Sequence, residues 1–125
     1  MRMALTASGP QLRGRFEAAV AERGLEQLEG ALLVSRHGVP LAGSCPGVKD
    51  VDAFAAMHAT ALGAAEVAFS DDGGHAVLSL VAEMDGRRFV SHSLRGSMFV
   101  VAVVRPGADC TDILAWMGGL ADELS

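Results

Sequence analysis

The sequence predicts an α/β sandwich of the α+β kind, one mainly antiparallel sheet of five strands with helices on both faces. Three observations carry that reading. Three segments place apolar residues at helical spacing. Three turns, His37-Gly38, Asp85-Gly86 and Arg95-Gly96, end in glycine between strand-like runs. One run, Met98 to Val104, is apolar throughout and rich in β-branched residues, as a strand covered on both faces is. At 125 residues the chain reads as a single domain, 1–125, with residues 1–8 a loose N-terminal arm.

The first helix follows a capping box of Ser8 and Gln11, with Pro10 acceptable in its first turn. Leu12, Phe16, Ala19 and Val20 form its apolar side, and Gly24 ends it. Leu25 and Leu28 then anchor the connection to the core. Gly30 to Cys45 reads as a hairpin around a two-residue turn at His37-Gly38, with left-handed conformations at both centres. Pro40 cannot donate to a ladder, so strand 2 should be an edge.

Asp50 to Ser70 is the helix around which the rest is arranged. Asp50 or Asp52 caps its start, and Asp71-Asp72-Gly73-Gly74 stops it. Phe54, Met57, Ala61, Leu62, Ala65 and Phe69 form one apolar stripe. Ala55, Ala56, Ala59, Gly63 and Val67 make the opposite side apolar as well, and Glu66 is the only charge between Asp52 and Asp71. A helix apolar nearly all round is normally buried nearly all round. In a chain this small one face can lie on its own sheet. The other needs a partner.

Three strands follow as a meander: His75 to Glu83, Arg87 to Leu94, and Met98 to Val104. The last should be central, which leaves strand 3 as the second edge. Its AVLSLVA carries neither proline nor inward charge to block pairing with another chain. Asp109 caps a final helix whose buried stripe is Ile113, Met117, Leu120 and Leu124, flanked by Trp116. Gly118-Gly119 inside it costs about 1 kcal/mol per glycine relative to alanine. Close packing on a neighbour is the expected reason.

Composition excludes several classes of function. With 50% apolar and 20% charged residues the chain is globular rather than disordered. A net charge of −5, with its basic residues scattered, leaves no footprint for nucleic acid. No apolar run approaches the ~20 residues that span a bilayer, so no membrane insertion is expected. The opening MRMALTASGP has no signal-peptide core, and the expected location is cytoplasmic. Cys45 and Cys110 lack metal or redox spacing and read as free thiols.

Two stretches carry a resemblance to a known family. GALLVSRHGVPLAGS, from Gly30 to Ser44, and the Asp-led, Ala-rich DVDAFAAMHATALGAAE, from Asp50 to Glu66, resemble the Roadblock/dynein light-chain domain. With the meander and final helix, the likeness runs from Leu12 to Leu124. It departs at His37, where many members carry Asp or Asn. The resemblance implies the sheet order 2-1-5-4-3, the central helix on one face, and the first and last helices on the other. It also implies homodimers through strand 3, with the two central helices side by side. Such domains are typically non-enzymatic regulators or scaffolds for Ras-like GTPases, and bacterial members stimulate a small GTPase through the central-helix face.

The residues offer little to a catalytic reading. No GxxxxGK[ST] is present, so the chain is not expected to hydrolyse GTP. His37, His58, His75 and His92 have no mutual ligand spacing, and neither metal nor cofactor is expected. Ser91-His92 reads as a solvent-facing strand rather than a nucleophile and base. Arg36, Arg87, Arg88 and Arg95 are the arginine-finger candidates, though arginine near hairpin turns is usually solvated. The expected function is a homodimeric interaction module for a Ras-like GTPase, acting by activation, exchange or localisation. The alternative is a small-ligand sensor, which the lack of Tyr and of convergent polar residues disfavours. The expected interface is Phe54, Met57, His58, Ala61, Leu62 and Ala65 of the helix with Val77, Ser79 and Val81 of strand 3.

Overall fold

The most apolar run in the chain, Met98–Val104, becomes a strand buried at every position. The computed structural model that shows this describes residues 9–24, 26–68, 79–84, 86–94 and 98–124. In chain order the elements are α1 (Gly9–Arg23), β1 (Leu28–Ser35), β2 (Pro40–Ser44), α2 (Val51–Ala68), β3 (Ser79–Met84), β4 (Arg87–Ser93), β5 (Met98–Val104) and α3 (Cys110–Glu123). The strands form one sheet in the order β2-β1-β5-β4-β3, and every neighbouring pair is antiparallel. This is the expected order, with β5 central and Pro40 on an edge strand.

Strand periodicity divides the core in two. Leu33, Val90, Val100 and Ala102 face α1 and α3, where Leu12, Phe16, Ile113, Met117 and Leu120 cover them. Leu32, Val34, Phe89, Phe99, Val101 and Val103 face α2, which sets Ala55 and Leu62 against them. One helix thus covers one face and two cover the other. The termini are made by the expected local chemistry. The Asp50 carboxylate accepts from Ala53 N at 3.0 Å, and Asp109 accepts from Thr111 N at 2.9 Å. Gly24, at φ 81, lets its N–H close on the Val20 carbonyl at 3.0 Å and end α1. Arg23 in that last turn hydrogen-bonds Gln27, lies 3.6 Å from Asp112 and stacks 5.9 Å from the Trp116 ring centroid. It ties α1 to α3.

The structure corrects two local expectations. The first hairpin turns through three residues, not two: Gly38 N donates to Ser35 O at 2.9 Å, and Ser35 N donates to Val39 O at 2.9 Å. The left-handed position falls on Gly38, at φ 88, as in a turn closed by a glycine bulge. Among the described residues, Gly118 and Gly119 pack against nothing. A Cβ built on either meets no atom within 4 Å. Expectations resting on Ser8, Leu25, Phe69, His75, Val77 and Arg95 lie outside the described residues.

Candidate partner interface

Helix α2 is oriented by contacts on its two flanks. On one flank the Phe54 ring meets His58 at 4.5 Å and Phe89 of β4 at 5.6 Å between centroids. On the other, the first hairpin comes so close that a Cβ on Gly38 would lie 2.9 Å from the Ala56 Cα. The inner stripe is Ala55, His58 and Leu62. By helical spacing Ala61 and Ala65 share the Phe54 flank, which leans toward β4 and the open edge β3. The outward side is Ala53, Ala56, Met57, Thr60, Ala61, Ala64 and Val67, with Met57 at 62% exposure and Val67 at 73%.

From Ala53 to Val67 that side carries no charge, and Thr60 is its polar residue; Asp52 stands exposed in the first turn before it. Thr60 Oγ1 donates to the Ala56 carbonyl at 3.0 Å, so its hydroxyl is satisfied within the helix. Glu66 turns inward, where Arg36 Nη1 meets its Oε1 at 2.7 Å and Arg36 Nη2 donates to Ser93 Oγ at 3.2 Å. A shallow depression lined by Ala56, Met57, Thr60, Ala61 and Ala64 marks the middle of the patch. Isolated exposed apolar side chains are ordinary on a monomer, whereas a continuous apolar helix face marks an interaction surface.

The predicted interface is therefore only partly one surface. Met57 and Ala61 are exposed, and Phe54 and Ala65 are half-buried on the flank toward β3. His58 and Leu62, at 9% and 0% exposure, belong instead to the chain's own core. In sequence His58 looked polar enough for the outside, and Leu62 sat in the wrong stripe for want of a polar side to orient the helix. In β3 the registers Val81↔Val90 and Ser79↔His92 put Ser79 and Val81 on the α1/α3 face, across the sheet from α2. Leu80 and Ala82 are the β3 residues on the α2 face, with Leu80 packed into that core. The sequence reading missed them, although strand alternation could have paired them with Ser91 and Phe89. β3 forms the sheet edge next to this patch, and Val81 is 47% exposed.

Ser91 is not solvent-facing. At 1% exposure its Oγ lies 3.4 Å from His58 Nδ1, sealed under α2 with no acid to complete a catalytic arrangement among the described residues. Burial lowers the pKa of His58 below its usual value, and that of His92 likewise. His92 Nδ1 has no hydrogen-bond partner among the described residues. Burial pushes the Cys45 thiol up to about 11, which makes it inert. Of the arginine candidates, Arg36 is held as above, Arg87 Nη1 donates to the Gly47 carbonyl at 3.3 Å, and Arg88 donates to Glu83 at 3.3 Å and to Cys110 Sγ at 3.5 Å. Among the described residues no three His, Cys, Asp or Glu side chains gather to hold a metal ion. No helix there is long and apolar enough to cross a membrane.

The Roadblock/LC7 domain model matches residues 20–102, from the end of α1 through most of β5. The chain belongs to the Roadblock/LC7 family. This member shares its fold with the gliding protein MglB of Thermus thermophilus at a TM-score of 0.78, 18% identity, and coverage of 90% of this chain and 87% of that one. A structure of MglB with a tetrameric arrangement aligns at 0.76 and 18% identity, covering 90% of each chain. A Roadblock/LC7 domain from Streptomyces avermitilis aligns at 0.75 and 16% identity, covering 85% of this chain and 91% of that one. At such identities the likeness is one of fold. No curated protein matches the chain in sequence.

Proposed function

We propose that the chain, as one Roadblock domain over residues 1–125, is a non-enzymatic homodimeric module that regulates or scaffolds a Ras-like GTPase in the cytoplasm. The observation that carries this reading is the uncharged, largely apolar outward face of α2 from Ala53 to Val67, beside β3, an edge strand of the sheet among the described residues. In the dimer, β3 pairs with its copy and Phe54, Met57, Ala61 and Ala65 meet the partner helix. That association removes both an exposed apolar patch and an unpaired edge. Family membership supports the GTPase side of the proposal, as does the fold shared with MglB. The outward crest of the two α2 helices is then the surface offered to the GTPase.

Light scattering of the purified protein over a range of concentrations tests the dimer. The expected mass is twice the monomer's 12.9 kDa, and a clean monomer throughout rejects the homodimer. Hydrolysis and nucleotide release by a candidate GTPase, with and without saturating protein, test regulation. If both rates stay unchanged the regulatory version falls, and a binding assay then decides the scaffold version.

A further inference from the structure

Across the sheet from α2, between the C-terminal half of α1 and strands β1 and β2, lies a groove of about 630 Å³. Val20, Ala21, Ala31 and Pro46 supply apolar walls, and Glu17 and Glu29 supply its carboxylates. Its floor is bare main chain for a steric reason. A Cβ on Gly43, at φ 93, would lie 2.2 Å from the Ala31 oxygen and 2.8 Å from Phe16 Cε2, while Gly30 turns its Cβ position to the other face of the sheet, 3.1 Å from Cys45 Sγ, and offers the groove only main chain. Gly43 has no room for a side chain and Gly30 directs none here, so main chain floors the groove.

Glu29 reaches this groove through a break in the ladder. Leu28 pairs with Val104 and Gly30 with Val103, so Glu29 is the extra residue of a β-bulge. Bulges re-aim a side chain, and are common beside functional sites. Among the described residues neither Glu17 nor Glu29 has an ion-pair partner. Arg13, one turn before Glu17 on α1, lines a neighbouring depression that Glu17 also touches, and makes no such pair either. Two carboxylates without a direct ion pair, beside apolar walls, favour a cation with an apolar body. The volume falls within the range of about 300–1,000 Å³ typical of small-molecule sites.

We propose that this groove binds a small organic cation, an ammonium or guanidinium on an apolar body, held between the carboxylates of Glu17 and Glu29. The walls take the apolar part, and the cation takes the place of water beside the exposed Glu17 and half-buried Glu29 carboxylates. Because the groove lies on the α1/α3 face, its occupancy is separate from the dimer reading, and its failure leaves that reading untouched. It gives the small-ligand sensor alternative a place in the fold.

Calorimetric titration of the full chain with 2-phenylethylammonium and phenylguanidinium, and with neutral 2-phenylethanol as control, tests the proposal. The cations are expected to bind saturably and at least about tenfold more tightly than the alcohol, a ratio worth about 1.4 kcal/mol. Glu17→Gln and Glu29→Gln should each weaken the cations about tenfold and leave the alcohol unchanged. Ala21→Phe, on the exposed side of α1, should fill the groove and abolish binding while the thermal melt stays as before. Added salt should weaken the cations alone. Equal binding of alcohol and cation overturns the proposal. So do affinities insensitive to both Glu variants, or no saturable binding by either cation. Capture of an arginine-bearing peptide without capture of the small cations also overturns it, and makes the groove a peptide-docking surface.

Discussion

Helices α2 and α3 cover opposite faces of the same sheet, yet they show solvent different surfaces. Outward, α3 presents Thr111, Asp112, Ala115, Gly118, Gly119, Asp122 and Glu123. Outward, α2 presents Asp52 in its first turn and then Ala53, Ala56, Met57, Thr60, Ala61, Ala64, Val67 and Ala68. Both bury their inner stripes equally well, with Ile113 and Met117 in α3 and Ala55 and Leu62 in α2 all at 0% exposure. Packing on the sheet therefore does not explain why α2 is apolar on its far side. α3 has the outer surface of a helix that ends at water, and the outer surface of α2 suits the second neighbour proposed above.

The widest separation should come from charge placed on the two outer surfaces. Ala61→Arg or Met57→Glu is expected to cost self-association about 3–5 kcal/mol, more than a hundredfold, by burying an unpaired charge. The matching change Ala115→Arg on exposed α3 should leave association as it was. Light scattering and thermal melts read both, and the monomer's melt should hardly move. Unchanged association by the α2 variants would place the interface elsewhere and dissolve the contrast.

The next largest effect belongs to the inner stripe. Leu62→Ala should destabilise the monomer by about 2–5 kcal/mol in urea unfolding, through lost burial and the cavity left behind. A much smaller loss would mean that α2 is held mainly by its partner rather than by its own sheet.

His58 gives the inner stripe of α2 a pH dependence. Burial lowers its folded pKa below an unfolded value of about 6.5, so the unfolded chain takes up the proton first. Stability is complete above that value and falls as pH drops below it, by at most about 1.4 kcal/mol per pH unit. Urea midpoints between pH 7 and 5 should show the decline, and His58→Gln should flatten it. His92, lowered in the same direction, accounts for the slope that remains. An identical profile in the variant would remove His58 from the account.

The smallest effect has the opposite sign. Gly118→Ala and Gly119→Ala meet open space and should each stabilise the protein by about 1 kcal/mol. Weakened association in either variant would show that α3 also carries a partner, which narrows the contrast with α2.

Much of the fold was legible because its signals are local. Asp50 and Asp109 cap their helices, Gly24 ends α1, Pro40 marks an edge, and Met98 to Val104 fills the centre. The candidate site was less so. Met57 and Ala61 stand outward as predicted, but His58 and Leu62 turned inward, and Ser79 and Val81 took the other face of the sheet. The charges were harder still. Arg36 and Glu66 are 30 residues apart and meet at 2.7 Å, and no spacing rule connects them. Ser91 and His58 are 33 residues apart and buried together.

By itself the sequence determined the elements, their order and the excess of apolar surface on α2, since capping, turn chemistry and periodicity act over a few residues. Which side of α2 is free was decided only in three dimensions. A helix with no polar side has nothing in its own sequence to set its rotation. Phe89 on one flank and Gly38 on the other set it, and both are brought there by strands that pair far from the helix in sequence.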